Sequence, residues 1–170
     1  MRPIIFIIVV VLLTSCDTRF IYGEDYDVDE LGWHQDSVYV FETDSLTKLP
    51  PLITIGFNIR NTTDYLYRNM YLFVEIQIPG REKPIKDTLD HILMTPDGYW
   101  VEGVQGASIK ESMAYLKDKE VELKESIAYY PYAIQNPERG VYRIKVQQGM
   151  RDEVLKDVVS IGARIEKLDP

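Results

Sequence analysis

The sequence predicts an all-β protein, mainly an antiparallel β-sandwich of the Ig-like or jelly-roll-like kind with one short helix, behind an N-terminal signal peptide. Two observations support this prediction, and a third concerns the source of stability. Apolar and polar residues alternate along several segments, as in strands that bury one face. Turn-forming residues separate these segments at short intervals. The single cysteine among 170 residues excludes an intramolecular disulfide, so stability must come from a packed core.

The N-terminus has the organisation of a bacterial lipoprotein signal. Arg2 gives a charged start, residues 4–13 are all apolar, and a Leu-Thr-Ser-Cys ending places Cys16 after small residues. The apolar run is shorter than the roughly 20 residues that span a bilayer, and it has the layout of a cleaved signal peptide. Its ending resembles a lipobox. We therefore expect residues 1–15 to be removed and Cys16 to become a lipidated first residue, held on its membrane by two or three acyl chains.

An acidic segment follows the cysteine. Residues 16–32 contain many carboxylates and no sustained apolar period, which predicts a lipidated acidic tether. The segment lacks the glycine and the distal glutamate of a calcium loop, so no metal site is expected there. Residues 33–168 have the length of one β-sandwich domain.

The charge balance limits the class of partner. The chain carries 27 acidic and 19 basic side chains, and loss of the signal peptide removes one of the basic ones. This balance argues against nucleic acid as a partner. It also leaves the lipid, rather than a basic surface, to attach the protein to its membrane.

Alternation with a period of two places the strands in order along the domain. Residues 53–59 alternate aliphatic or aromatic side chains with polar or small ones, and residues 72–78 have one aliphatic face. The same theme recurs at 38–40, 121–133, 142–146 and 159–165, and turn residues stand at 61–64, 79–80, 96–98, 136–140 and 148–149. Regular strands with such turns predict an antiparallel sandwich.

One segment before the last strand has helical spacing. Met150, Val154, Leu155 and Val158 recur at helical intervals, and charged residues occupy the other side. We therefore expect one short helix over Met150–Val158.

Several blocks of sequence resemble a known family. They lie at residues 59–65 (IRNTTDY), 69–74 (NMYLFV), 87–89 (DTL), 150–155 (MRDEVL) and 161–167 (IGARIEK). In this order, behind a lipobox-like ending, they resemble the gliding-motility lipoprotein family called GldH. The resemblance implies a small envelope lipoprotein that acts with other lipoproteins and membrane proteins in cell movement over surfaces, and that is linked to type IX secretion by shared phenotype. It implies no reaction.

Non-motile relatives also carry such proteins, which leaves open a role in envelope assembly or secretion. No dense acidic run directly follows Cys16, which weakens a prediction of export to the cell surface. We expect an outer-membrane lipoprotein that faces the periplasm and has protein partners in the gliding or secretion apparatus.

Two polar turns are candidates for a partner surface. Arg60, Asn61 and Asp64 lie in or beside the turn between two predicted strands, and Arg151 and Asp152 follow another strand. Loops on a rigid scaffold often carry function. The alternative is a purely structural turn, because Asn and Asp side chains bond neighbouring backbone amides.

Tyrosine and tryptophan support a second hypothesis, a glycan-binding sandwich. Tyr65, Tyr67, Tyr99 and Trp100 lie near predicted turns, and aromatic side chains on a sheet can stack on sugar rings. The alternative is that these side chains cover the edges of the core. An exposed groove that gathers them would favour glycan binding.

The sequence offers little support for catalysis. His34 and His91 are isolated, and no nucleotide-binding or hydrolase motif occurs. Asp87, Asp90 and Asp97 could serve glycoside hydrolysis only if they paired in space. We therefore predict a protein that is not an enzyme and has no cofactor.

Overall fold

The computed structural model describes residues 19–101, 103, 105–107 and 122–169. The predicted signal peptide, residues 1–15, and the predicted lipidation site, Cys16, lie outside the described residues. Within the described part the chain forms twelve strands and no helix. None of the described segments is a helix long and apolar enough to cross a membrane.

The strands follow one another in short steps. They are β1 (Phe20–Asp27), β2 (Trp33–His34), β3 (Val38–Glu42), β4 (Leu52–Thr62), β5 (Asn69–Gln77), β6 (Ile85–Ile92), β7 (Gln105–Ala107), β8 (Leu123–Tyr129), β9 (Ile134–Gln135), β10 (Arg143–Gln148), β11 (Val154–Leu155) and β12 (Val158–Lys167). All of their pairings are antiparallel.

Two sheets form the sandwich, and their strand order is that of a jelly roll. One sheet has the order β1-β12-β4-β8-β7, with β9 beside β4, and the other has the order β3-β10-β5-β6. The antiparallel pairs β1·β12, β3·β10, β4·β8 and β5·β6 follow one another along a single long hairpin, which is folded onto itself. The pairs β12·β4 and β10·β5 close it into a roll. The predicted all-β class is confirmed, in its jelly-roll form.

The core lies between the two sheets and follows from the alternation. On β4, Ile53, Ile55, Phe57 and Ile59 are fully buried. They pack with inner residues of the neighbouring strand β12 and of the facing strands β5 and β10, which include Ile161, Ala163, Ile165, Leu72, Val74, Ile76, Ile144 and Val146. Strand alternation therefore produces one contiguous apolar layer.

The prediction of an acidic tether over residues 16–32 is wrong for its described part. Residues 20–27 form β1, which pairs along its length with β12. Tyr22 and Tyr26 lie on one face and donate hydrogen bonds of 2.7 and 2.8 Å to the two carboxylate oxygens of Glu24. The Tyr26 ring packs 5.2 Å from that of Phe41 on the opposite sheet. Two tyrosine hydroxyls thus satisfy the carboxylate that interrupts the apolar alternation.

The predicted helix over Met150–Val158 is also wrong. This segment contains β11, and a tight turn leads from it into β12. Asp157 in that turn has a φ of 64°, which an α-helix does not allow. Leu155 is buried because β11 pairs with β2, where it lies opposite Trp33. The four apolar residues at helical spacing therefore lie in a connection, in β11 and at the start of β12.

Candidate functional site

Several connections meet at one end of the sandwich. Strands β1, β4 and β10 end there, and β12 begins there, because Asp27 pairs with Ser160 and Asn61 pairs with Val158. We call the described residues 28–37, 63–68 and 149–157 the distal loop cluster. Phe20, where β1 begins, lies at the opposite end.

The first part of the cluster is the turn after β1. Asp29 organises this turn through two hydrogen bonds of 2.8 Å. Its side-chain Oδ1 accepts one from the backbone N–H of Leu31, and its backbone carbonyl accepts the other from the backbone N–H of Gly32. Gly32 has a φ of 113°, and a Cβ there would lie 2.7 Å from the Leu155 carbonyl oxygen. A glycine is therefore required. The side chain of Leu31 at the tip is 80% exposed.

The second part is the connection between β4 and β5. Thr62 fixes its start, because the hydroxyl donates a 3.1 Å hydrogen bond to Asp157 Oδ1 and accepts one of 3.2 Å from the Asp64 backbone N–H. The Tyr65 backbone N–H bonds the Thr62 carbonyl. The next residue, Leu66, is 84% exposed. A rigid turn thus presents a second leucine to solvent.

A side-chain hydrogen bond joins the second part of the cluster to the third. The Tyr67 hydroxyl donates a 2.7 Å hydrogen bond to Asp152 Oδ2, and this bond raises the pKa of Tyr67 above its ordinary value. The ring of Tyr67 packs edge-on against Tyr65, 5.8 Å away. Gln148 Nε2 donates a 2.8 Å hydrogen bond to the backbone carbonyl of Asp152. The loops therefore form one preorganised surface.

Two adjoining recesses lie on this surface. One of about 390 Å³ is bordered by Leu31 and Asp64, and one of about 230 Å³ is bordered by Leu66 and Tyr67. Both are also bordered by Lys156 and Asp157. Two exposed leucines beside recesses with charged walls are suited to protein contact, because apolar anchors with a polar rim are typical of interfaces.

Comparison with known proteins identifies the family. The model of the GldH lipoprotein family matches residues 20–165. The chain belongs to the GldH lipoprotein family. It is 34% identical to a gliding motility lipoprotein GldH homolog of Christiangramia forsetii, covering 97% of this chain and 94% of that protein. It is 28% identical to gliding motility lipoprotein GldH of Flavobacterium johnsoniae, covering 97% and 96%. The predicted family is confirmed, and with it a lipid-anchored protein of the cell envelope.

The sites predicted from the sequence are distributed unevenly in this GldH-family fold. Asp64, Arg151 and Asp152 lie in the distal loop cluster. Arg60 lies on β4, where its Nε is 3.7 Å from a carboxylate oxygen of Glu125 on β8. Asn61 is fully buried, and its Nδ2 donates to the Thr62 carbonyl. Asn61 can therefore support the loop but cannot touch a partner.

The four predicted aromatic residues do not share one exposed groove. Tyr65 is buried and donates to the Asn69 carbonyl, while Tyr67 is bound to Asp152. Tyr99 is exposed in the turn after β6, and Trp100 is half-buried with the Lys124 ammonium 5.7 Å from its ring. A larger recess, about 720 Å³, lies on the outer face of the four-stranded sheet and is lined by none of the four.

The arrangement of polar groups does not favour catalysis in the described residues. Alternation on β6 places Asp87 and Asp90 on opposite faces of the sheet. His91 Nε2 lies 2.9 Å from Ser126 Oγ, but Ser126 is buried. No group of three metal-ligating side chains occurs in the described part of the chain. The His91–Ser126 contact links β6 of one sheet to β8 of the other, which is a structural role.

This contact predicts a pH-dependent stability. Burial lowers the pKa of His91 below its ordinary value, while the Asp90 carboxylate acts in the opposite direction and less strongly. The folded state therefore favours the neutral imidazole. The neutral His91 imidazole contributes its full stability at pH values above the pKa of His91 in the unfolded chain, about 6.5. This contribution is lost as the pH falls through the lower pKa of His91 in the folded state. We expect the free energy of unfolding to decrease between about pH 7 and pH 5.

Urea unfolding at several pH values would measure this effect in the wild type and in His91→Gln. The variant should lose part of the dependence on pH in that range. His34→Gln is the matched control, because His34 lies on the surface of the distal loop cluster. An unchanged slope in His91→Gln would contradict the assignment.

Proposed function

We propose that this GldH-family protein is a non-catalytic accessory component of the gliding apparatus and that the distal loop cluster docks a protein partner of the gliding or type IX secretion machinery. Lipid on Cys16 would hold the protein at the outer membrane, facing the periplasm. One observation carries the proposal: Leu31 and Leu66 are strongly exposed at the tips of turns that hydrogen bonds hold rigid.

The energetics of this surface favour docking over a purely structural role. Ordering a flexible side chain or loop on binding costs free energy, and preorganised loops avoid much of that cost. A partner that covers leucine side chains at such tips removes apolar area from water. This burial stabilises the complex by roughly 25 cal/mol per Å². The charged walls formed by Lys156 and Asp157 would set the orientation of the partner.

The experiment that tests the proposal is crosslinking in intact cells, followed by purification of the tagged protein from detergent-solubilised membranes. In the variant Leu31→Asp/Leu66→Asp, we expect recovery of gliding or secretion components to fall at least about tenfold, which corresponds to 1.4 kcal/mol of binding. Motility should fall with it. The urea midpoint should stay near that of the wild type, because both side chains lie in solvent.

The matched control is Tyr132→Asp/Val141→Asp, which adds the same two negative charges at exposed positions outside the distal loop cluster. The control should recover the same proteins as the wild type. Equal recovery by the double variant, or an equal loss in the control, would contradict docking at the distal loop cluster.

A further inference from the structure

The lipid anchor and the domain are separated by very little chain. β1 begins at Phe20, which pairs with Glu166, so only residues 17–19 lie between Cys16 and the first strand. At about 3.3–3.6 Å per residue, four residue steps reach at most about 14 Å. Lipid on Cys16 therefore keeps this end of the sandwich close to the membrane.

We call this the anchor end, and the hydrogen bonds define it. The backbone N–H of Lys167 bonds the Arg19 carbonyl at 2.7 Å, and that of Leu168 bonds the Leu52 carbonyl at 3.1 Å. The connections β3–β4, β5–β6 and β9–β10 also lie at this end, as the antiparallel order requires. The ten residues of β12 separate the anchor end from the distal loop cluster by about 30 Å.

Charge is divided between the two ends. The anchor end, in residues 19, 43–51, 78–84, 136–142 and 167–169, carries the cations Arg19, Lys48, Arg81, Lys83, Arg139 and Lys167 and the acids Asp44, Glu82, Glu138 and Asp169. The distal loop cluster carries the cations Arg68, Arg151 and Lys156 and the acids Asp29, Glu30, Asp36, Asp64, Asp152, Glu153 and Asp157. An acidic protein therefore has one end with excess positive charge.

Apolar side chains lie among the cations of the anchor end. Phe20 is 48% exposed and Leu168 is 40% exposed. The guanidinium of Arg164 lies 5.5 Å from the centre of the Phe20 ring and holds the ring on the sheet surface. Aromatic residues beside basic ones are typical of the membrane interface, where a ring enters the headgroup layer and cations meet lipid phosphates.

We infer that the anchor end seats on an anionic lipid surface and sets the protein upright, with the distal loop cluster facing away from the membrane. This inference rests on the lipid anchor at Cys16. The acyl chains supply the attachment, whereas Phe20, Leu168 and the surrounding cations supply the orientation. Repulsion between anionic lipid and the carboxylates of the distal loop cluster opposes the inverted arrangement.

Site-specific fluorescence quenching can test the orientation. The lipidated protein has no free thiol, so Leu168→Cys and Leu66→Cys each provide one position for a fluorescent label. Both are reconstituted in phosphatidylcholine vesicles that contain phosphatidylglycerol and nitroxide-labelled lipid. We expect severalfold stronger quenching at position 168 than at position 66. Equal quenching at the two positions would overturn the upright arrangement.

Charge reversal tests the contribution of the cations. Lys48→Glu/Lys83→Glu should reduce quenching at position 168 in vesicles with phosphatidylglycerol, as should vesicles of phosphatidylcholine alone. Lys156→Glu/Arg151→Glu makes the same change in charge within the distal loop cluster and should leave quenching at position 168 unchanged. If quenching at position 168 changes neither without phosphatidylglycerol nor in Lys48→Glu/Lys83→Glu, the proposed contact with anionic lipid is overturned. Failure of the chain to stay on vesicles would instead overturn the lipid anchor itself.

Discussion

Replacing Trp33 with alanine is expected to lower the free energy of unfolding by about 3–5 kcal/mol, the range for a fully buried aromatic residue. Trp33 is one of the largest buried side chains, packs edge-on against Tyr39 at 5.5 Å, and donates a 2.9 Å hydrogen bond from Nε1 to the Ser37 carbonyl. A domain of this size has a total stability of about 5–15 kcal/mol. Urea unfolding followed by far-ultraviolet circular dichroism would measure the change.

Two further variants make this result specific. Trp33→Phe keeps an aromatic ring but loses the hydrogen bond to the Ser37 carbonyl, so it should cost less than Trp33→Ala. Trp100→Ala removes the other tryptophan, which is half-buried, and should also cost less. A change below about 1 kcal/mol in Trp33→Ala would mean that the site is not the packed core position described here.

The effect of Trp33→Ala reaches the distal loop cluster as well as the core. Trp33 lies opposite Leu155 in the pairing of β2 with β11, and the Gly32 turn rests against the Leu155 carbonyl. Loss of the indole would therefore loosen the turn that presents Leu31. We expect this variant to weaken partner recovery even under conditions in which it stays folded.

The strands that bury a regular aliphatic face could be predicted from the sequence. β4, β5 and β12 have uninterrupted alternation of aliphatic or aromatic residues over their buried positions, and this pattern specifies both the strand and its inner face. The jelly-roll order could not be read in the same way. It depends on which strands pair over long sequence separations, and alternation gives no information on the identity of a strand's neighbour.

Among the strands that were missed, β1 and β6 are the longest, and both have ionisable side chains at positions of the buried period. On β1, Glu24 lies between Tyr22 and Tyr26 and is satisfied by their hydroxyls. On β6, Asp87 and His91 alternate with Leu89 on the inner face. Only the tertiary partners make these positions acceptable, so the local pattern indicates a tether or a loop.

The candidate site was predicted in part. Asp64 and Asp152 were identified as loop residues, but the bond from Tyr67 that brings their loops together spans 85 residues of sequence. Leu31 and Leu66 were missed. A signal was present, since each is a large apolar residue within a polar turn, and such a residue has no core to enter. Exposure of this kind follows from the loop conformation, which local composition does not determine.

The second large effect is expected at the anchor. Cys16→Ser should move the protein from the membrane fraction to the soluble fraction, because serine cannot form the thioether to the lipid. Each buried methylene contributes roughly 0.8 kcal/mol, so the loss of two or three acyl chains removes far more free energy than Phe20 and Leu168 can replace. Fractionation of cells and the mass of the mature N-terminal peptide would measure the result.

The matched control is Ser15→Ala, which keeps a small residue before the cysteine and should leave both the lipid and the membrane fraction unchanged. A Cys16→Ser protein that stays with the membrane would contradict lipidation at this residue.

The geometry also separates anchoring from orientation. A flexible insertion between residues 18 and 19 should leave the protein in the membrane fraction but reduce partner recovery. The longer link between Cys16 and β1 would no longer hold the anchor end at the membrane, so the distal loop cluster would no longer be kept about 30 Å above it.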